Sequence, residues 1–392
     1  PAPASRSIPE QLAEIFGVED PAGPFGFDLL VVTHAHQDHI GCLPEMVDRG
    51  VVTTHWALVA DEELGWGGEA IDALTAADPK LAEFWAALRE ERPVFASEAA
   101  LEAFLADAAS LRDRYHQMLE RLVQDGTRVL RYGRDPVEAL EAILEPEGLR
   151  IIGPTKEHLE ICREVIASIG RDALDFVQAR LASDSRASTA SLVREFLATR
   201  AGGRGVDSAS LDFSASTGNA LNCQSIVLVA ERNGRKVLLT GDMQLADPRV
   251  SGLGNSMKAL RQKIAATGPF DMVKLPHHAA ANGFNGSVLE EVGTPFLTIS
   301  TGPGSGSHPH PEVLALLEEA QGKVTWLRTD RNGRIAVDYS TEEGEILWER
   351  GKEDDLSRNH DPDGAVFLGR EESSGRAEPA PAPAVSPPLP RD

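Results

Sequence analysis

The sequence predicts an α/β fold in which short apolar strands deliver polar clusters at their ends, interrupted by a large helical insertion. Three observations carry that expectation. First, Phe27-Asp28-Leu29-Leu30-Val31-Val32 stops at Thr33-His34-Ala35-His36-Gln37-Asp38-His39, so a buried strand ends where a metal-capable cluster begins. Second, strand-like runs at 226–230, 237–240 and 271–275 recur in the second half, and the last two lead into Asp242 and His277-His278. Third, Leu101, Phe104, Leu105, Ala108, Leu111, Tyr115, Met118, Leu119 and Leu122 form one stripe at helical spacing, which must bury against something.

Bulk properties narrow the classes. A chain of 392 residues with 42% hydrophobic content supports one large or two ordinary domains with a proper core. A formal net charge of −23 repels polyanions at long range and argues against broad duplex binding. Cys42, Cys162 and Cys223 form no close pair, which argues against a disulfide framework or a thiolate zinc site. No apolar run approaches the roughly 20 residues needed to span a bilayer. No secretory pattern is visible, so the expected location is cytoplasmic. The chain starts Pro1-Ala2-Pro3-Ala4 without Met, which leaves open a segment ahead of it.

In chain order, the pattern predicts helices at 10–16 and 42–49 and a strand at 51–55. A helix at 79–91 stops before Pro93, and a longer one runs from an N-cap at Ser97 to Gly126. A strand at 127–132, a helix at 136–144 and a strand at 149–154 follow. Helices are expected at 155–169, ending at Gly170, then at 172–182 and 188–199, before a flexible loop at 201–205. Asn233-Gly234 marks a hairpin turn. A strand at 295–300 and a helix at 311–320 precede a hairpin of 323–327 with 334–339 around Asn332-Gly333, and one more strand at 344–348. The Pro/Ala-rich tail reads as disordered.

The chemistry concentrates at the strand ends. His34 and His36 can converge on one metal, leaving Asp38 and His39 for a second; imidazole and carboxylate suit Zn²⁺, Mn²⁺ or Fe²⁺. Asp242, at the end of a buried strand, needs cations or donors to offset its desolvation, either as a bridge between metals or as a turn-bonded carboxylate. Asn222 precedes a strand, where it contacts substrate or metal or caps a turn. The loop 301–307 reads as an anion-cradling nest or a flexible linker. His308 and His310 lie at the start of the following helix, where an N-terminus favours an anion. His55 and the Tyr115-His116 pair read as structural.

His34-x-His36-x-Asp38-His39, Gly241-Asp242 after a strand pair, and Leu275-Pro276-His277-His278 together resemble the metallo-β-lactamase fold hydrolases. Ser307-His308-Pro309-His310-Pro311 and Arg328-Thr329-Asp330-Arg331-Asn332-Gly333 resemble the soluble C-terminal domain of ComEC-type DNA-uptake proteins. The resemblance covers about 28–56 and 149–348. It implies a four-layer αββα sandwich. Family members place two or three strands and an early Gly-Asp turn before the His motif; only 5–26 precedes it here, so the first strands are missing or atypical. The organisation expected is an irregular segment 1–27, core 28–56, helical insertion 57–148, core strand 149–154, a second helical insertion 155–215, core 216–350 and the tail 351–392.

The resemblance also implies roles. His34 and His36 hold the first metal, Asp38, His39 and His277 the second, and Asp242 lies between them. Asp38 orients the attacking water and collects its proton; His308 protonates the leaving oxygen or steadies a phosphate. Asn222, His278 and His310 are the expected substrate contacts. The third His that many relatives carry for the first metal is missing here, which shifts preference toward Mn²⁺ with Zn²⁺ still open. The expected cofactors are therefore two divalent ions, Zn or Mn, and the expected activity is a phosphodiesterase or nuclease of ComEC-like type. Its substrate would be nucleic acid or a small phosphodiester, with a protein partner able to dock on the helical insertion. Two alternatives remain at this stage: a small-molecule metallohydrolase acting on a cyclic nucleotide or lactone, and a partner-regulated module with weak or no catalysis.

Overall fold

The computed structural model describes residues 7–66, 71, 75–76, 78–89, 98–200, 217–302, 308–332, 335–338 and 345–348. The nest-like loop from 303 to 307, the loop 201–205 and the tail 351–392 lie outside the described residues.

Two sheets organise the chain. β1 (Phe25–Val32), β2 (Val52–Ala60) and β3 (Arg128–Tyr132) pair in that order, all parallel. The second sheet runs in sequence order through β4 (Leu149–Gly153), β5 (Val227–Arg232), β6 (Arg235–Leu239), β7 (Met272–Lys274), β8 (Phe296–Ile299) and β9 (Thr325–Arg328). It is antiparallel from β4 to β6 and parallel from β6 to β9. A separate antiparallel ladder joins β10 (Ile335–Asp338) to β11 (Glu345–Trp348).

The strand patterning explains the packing. Leu58, with Leu29, Val31, Trp56, Leu130 and Tyr132 of the first sheet, shares one cluster with Ile226, Leu228 and Ile151 beside or on the second. The two sheets therefore meet face to face. The other face of the first sheet buries Val32, Ala57 and Val59 against Leu111, Tyr115, Met118, Leu119 and Leu122 of helix Glu98–Gln124. These are the C-terminal five residues of the stripe read from the sequence, while Phe104 packs against the other core; each such side chain contributes about 1.5–3 kcal/mol on burial. Tyr115 is a core residue whose hydroxyl donates to the Ala60 carbonyl. The other face of the second sheet buries Val227, Val229, Leu238, Val273 and Leu297 under the helices Lys156–Ser183, Gly254–Thr267 and Pro311–Glu319.

Several elements differ from the sequence expectation. The strand expected at 127–132 forms as β3 and completes the first sheet, so the insertion 57–148 also contributes to the core. The two helices expected to break at Gly170 are one continuous helix, Lys156–Ser183. A Cβ on Gly170 would stand 2.1 Å from Ile71 Cδ1 and 3.1 Å from Trp85 Cη2. That glycine allows close packing and does not terminate the helix. Among the described residues the hairpin expected around Asn332-Gly333 does not form: β9 pairs with β8, β10 pairs with β11, and Thr329–Asn332 is a short helical turn. No helix among the described residues is long and apolar enough to cross a membrane.

Candidate metal centre

The polar residues of interest cluster beyond the C-terminal ends of β1, β6 and β7, so both sheets contribute to one site. The junction is tight. Gly241 takes a left-handed φ of +54°, and a Cβ there would stand 2.8 Å from Ser225 Cβ and 3.2 Å from Thr33 Cβ. Only glycine lets the Asp242 turn approach the His loop this closely. The Ile226 N–H donates to the Thr33 carbonyl at 3.0 Å, joining the two loops directly.

Four side chains converge: Asp38, His39, Asp242 and His278 each offer one ligand atom, all within 4.8 Å of one another. His39 Nε2 lies 3.1 Å from Asp242 Oδ2 and 3.6 Å from Asp38 Oδ2. His278 Nε2 lies 3.2 Å from Asp38 Oδ2 and 3.1 Å from Asp242 Oδ2. Four donors about 2.0–2.2 Å from a tetrahedral ion stand roughly 3.3–3.6 Å apart. The donor set is two imidazoles and two carboxylates, which fits a borderline or hard divalent cation.

A second pair lies beside it. His34 Nε2 faces His36 Nδ1 at 3.1 Å, and the His34 and His39 rings are 4.1 Å apart. His34 Nδ1 lies 3.2 Å from both Thr33 Oγ1 and Ser225 Oγ, and Ser225 Oγ also accepts from the Asp242 N–H at 2.9 Å. One serine therefore ties the aim of His34 to the position of Asp242.

The electrostatics suit cation binding. Burial, and then the positive character of His39 and His36, keeps His34 well below the ordinary imidazole range, so it is in the neutral form that can ligate. Burial opposes ionisation of Asp242, but Lys274, His39 and His278 outweigh it and hold the carboxyl well below the usual range. Desolvation likewise opposes ionisation of Asp38. The hydrogen bond with His278 and the charges of His39 and His36 prevail there, although the side chain is 58% exposed and solvent screens these interactions. Burial lowers His278, yet the charge of Asp242 and the bonds to Asp242 and Asp38 push it up to about 10.

The neighbouring histidines point different ways. His277, His278 and Ala279 all have positive φ, at 50°, 49° and 63°. Three successive non-glycine residues in the left-handed region cost about 1–2 kcal/mol each, and such strain is held in place by its surroundings. The turn sends His278 to the carboxylates and His277 to two amides: Asn222 Nδ2 lies 3.1 Å from His277 Nε2, and Asn282 Oδ1 lies 2.9 Å from His277 Nδ1. The sequence reading had given His277 the metal and His278 the substrate; the geometry puts His278 among the potential ligands.

The remaining candidates fall around this centre. Asn222 is fully buried, and its Oδ1 has no hydrogen-bond partner among the described residues. The His308 ring lies 4.9 Å from that of His277 and 6.3 Å from that of His278. His310 caps helix Pro311–Glu319, its Nδ1 accepting from the Glu312 N–H at 3.3 Å. His55 lies 3.6 Å from the carboxylate of Asp28, and both side chains are exposed. Sequence reasoning missed Ser225 and Lys274 as parts of the site. A lysine on the strand leading into Pro276-His277 was the available signal, because a half-buried ammonium needs a nearby acid.

Comparison with known proteins agrees with this picture. A profile of the Metallo-beta-lactamase superfamily matches residues 19–130, the part that holds the His motif. ComE operon protein 3 of Bacillus subtilis (strain 168) is 30% identical over 125 residues, a match covering 31% of this chain and 14% of that protein. The donor set and these matches support a metal-dependent hydrolase, and the chain resembles the metallo-β-lactamase fold hydrolases, in particular the ComEC-type proteins.

Proposed function

We propose that this chain is a binuclear metal-dependent phosphodiesterase, with a nucleic-acid strand as its first substrate class. The observation that carries the reading is the convergence of Asp38, His39, Asp242 and His278 beside the His34–His36 pair. Zn²⁺ or Mn²⁺ would be held by these two sets, with Asp242 a donor of the first. Bound divalent ions there supply Lewis-acid activation of a water and of a phosphoryl oxygen.

This chain's own groups do the rest. Asp38 is the solvent-facing carboxylate of the centre, which suits it to orient a water and accept its proton. Ser225 and Lys274 fix Asp242 from its backbone and from its second oxygen. His308, near the His277 and His278 rings, is placed to protonate a leaving oxygen or steady a phosphate. The amide pair Asn222 and Asn282 holds His277, and His310 anchors the helix start behind it. The motifs at 307–311 and 328–333, which resemble those of ComEC-type DNA-uptake proteins, favour a phosphodiester substrate.

A net charge of −23 favours a second reading, a small cyclic phosphodiester or lactone that meets less repulsion than a polyanion. The deciding experiment is hydrolysis of single-stranded DNA, RNA, a cyclic dinucleotide and a lactone, each with Mn²⁺ and with Zn²⁺. The first reading expects cleavage of DNA or RNA that weakens as salt rises. Turnover of the small substrates alone replaces it with the second. Failure to bind any divalent ion ends both.

A further inference from the structure

Helix Pro79–Arg89 lies in the stretch between β2 and β3, far in sequence from the rest of the centre. The carbonyl of Arg89 would accept from the residue four positions on, but that residue is Pro93, which has no N–H. The carbonyl lies instead 2.9 Å from His36 Nε2. A carbonyl only accepts, so His36 Nε2 carries the proton. In the neutral ring that can ligate, its Nδ1, 3.1 Å from His34 Nε2, then carries the lone pair and faces its partner histidine.

The side chain of the same residue works on the same loop. Arg89 is 2% exposed; its Nη2 donates to the Ala35 carbonyl at 2.9 Å and its Nε to the Gly65 carbonyl at 3.2 Å. Ala35 separates the two histidines, so backbone and side chain of one arginine hold His34-Ala35-His36 from two directions. The helix end is itself anchored, because the Thr217 hydroxyl donates to the Leu88 carbonyl. Thr217 opens the short helix that ends at Asn222, which holds His277.

We propose that Arg89 is a positioning residue for the first metal pair, and that through it the helical insertion governs whether that pair can hold an ion. The proposal rests on the metal-dependent reading above. Outer partners of this kind typically change metal affinity about 10–100-fold when lost.

The test uses the full chain and Co²⁺ as probe, with binding followed by calorimetry and by the visible absorption of the ion. The wild type is expected to bind two equivalents. Arg89→Met should keep the equivalent held by Asp38, His39, Asp242 and His278 and weaken the other at least tenfold. Arg89→Lys, able to reach one carbonyl, should fall between them. ¹⁵N NMR of the metal-free wild type should show His36 protonated at Nε2, a result that needs no variant to fold. Equal affinities in wild type and Arg89→Met, loss of both equivalents alike in Arg89→Met and Arg89→Lys, or a His36 protonated at Nδ1 would each overturn the proposal. A wild type that binds no Co²⁺ defeats the metal-dependent reading itself, and the proposal with it.

Discussion

Lys274 Nζ lies 3.3 Å from Asp242 Oδ1, while Asp242 Oδ2 faces His39 and His278. The carboxylate thus has a fixed cation on one oxygen and the candidate metal position on the other. Asp242 is almost fully buried, so removing Lys274, the largest favourable charge on it, leaves one oxygen of a buried carboxylate uncompensated. Lys274→Met should lower the stability of the metal-free protein by roughly 3 kcal/mol. Added Mn²⁺ or Zn²⁺ should return much of the loss by supplying a substitute cation. Urea unfolding with chelator and with metal measures both; a loss that is the same under the two conditions would contradict the shared-carboxylate picture.

Asp38→Ala and Asp242→Ala should abolish hydrolysis and reduce metal content, because each removes a negative donor from a site built for cations. His308→Ala should slow turnover by about 10²–10⁴, the usual cost of losing a general acid, while leaving metal in place. Elemental analysis beside the rate assay separates the cases. If His308→Ala strips the metal, the histidine is a ligand.

The adjacent histidines make a sharper comparison. His278→Ala should cost about one equivalent of metal, since it deletes one of four convergent donors. His277→Ala should keep both equivalents, because Asn222 and Asn282 already engage its two nitrogens. The reverse pattern of metal content would show that the loop rearranges on loading.

Gly170→Ala tests the packing of helix Lys156–Ser183. At an open helical position the change stabilises by about 1 kcal/mol. Here the new methyl meets Ile71 and Trp85, and overpacking of this kind costs about 1–3 kcal/mol. Net destabilisation is expected, read from the denaturation midpoint; a gain in stability would mean that Ile71 moves aside freely.

His158 gives the pH dependence a sign. Burial lowers it to about 4, and its Nε2 donates to the Cys223 carbonyl at 2.7 Å. The folded protein keeps it neutral below the pH at which the unfolded chain, near 6.5, takes up a proton. Stability should therefore fall as pH drops from about 6.5 toward 4, by up to about 3 kcal/mol from this group. His158→Gln retains a donor toward Cys223 and cannot titrate, so its profile should be flatter over that range. Parallel profiles for the two proteins would remove His158 as the cause.

Local patterns made much of this molecule legible. Apolar runs marked β1, β5, β6 and β7, and the stripe from Leu111 to Leu122 found its burial against the first sheet. What sequence spacing could not decide was set by tertiary contacts. Gly170 looked like a helix stop, and only the closeness of Ile71 and Trp85 explains a glycine in mid-helix. His277 and His278 are neighbours of one type, and their division of labour depends on three left-handed residues. Arg89 reaches His36 across 53 positions, beyond any motif.

The candidate donors come in two pairs separated by a great length of chain: His39 and Asp242 are 203 residues apart, and Asp38 and His278 are 240 apart. One pair follows the first sheet and the other follows the second. Neither half can grip an ion well alone, and closing so long a segment is among the slow steps of folding. The centre should therefore be completed only once the sheets have docked. An ion captured then adds contacts that earlier species lack, so it retards unfolding far more than it speeds folding. The metal would act as a latch across the sheet interface, and its removal would shorten the lifetime of the native state before it altered the route by which that state forms.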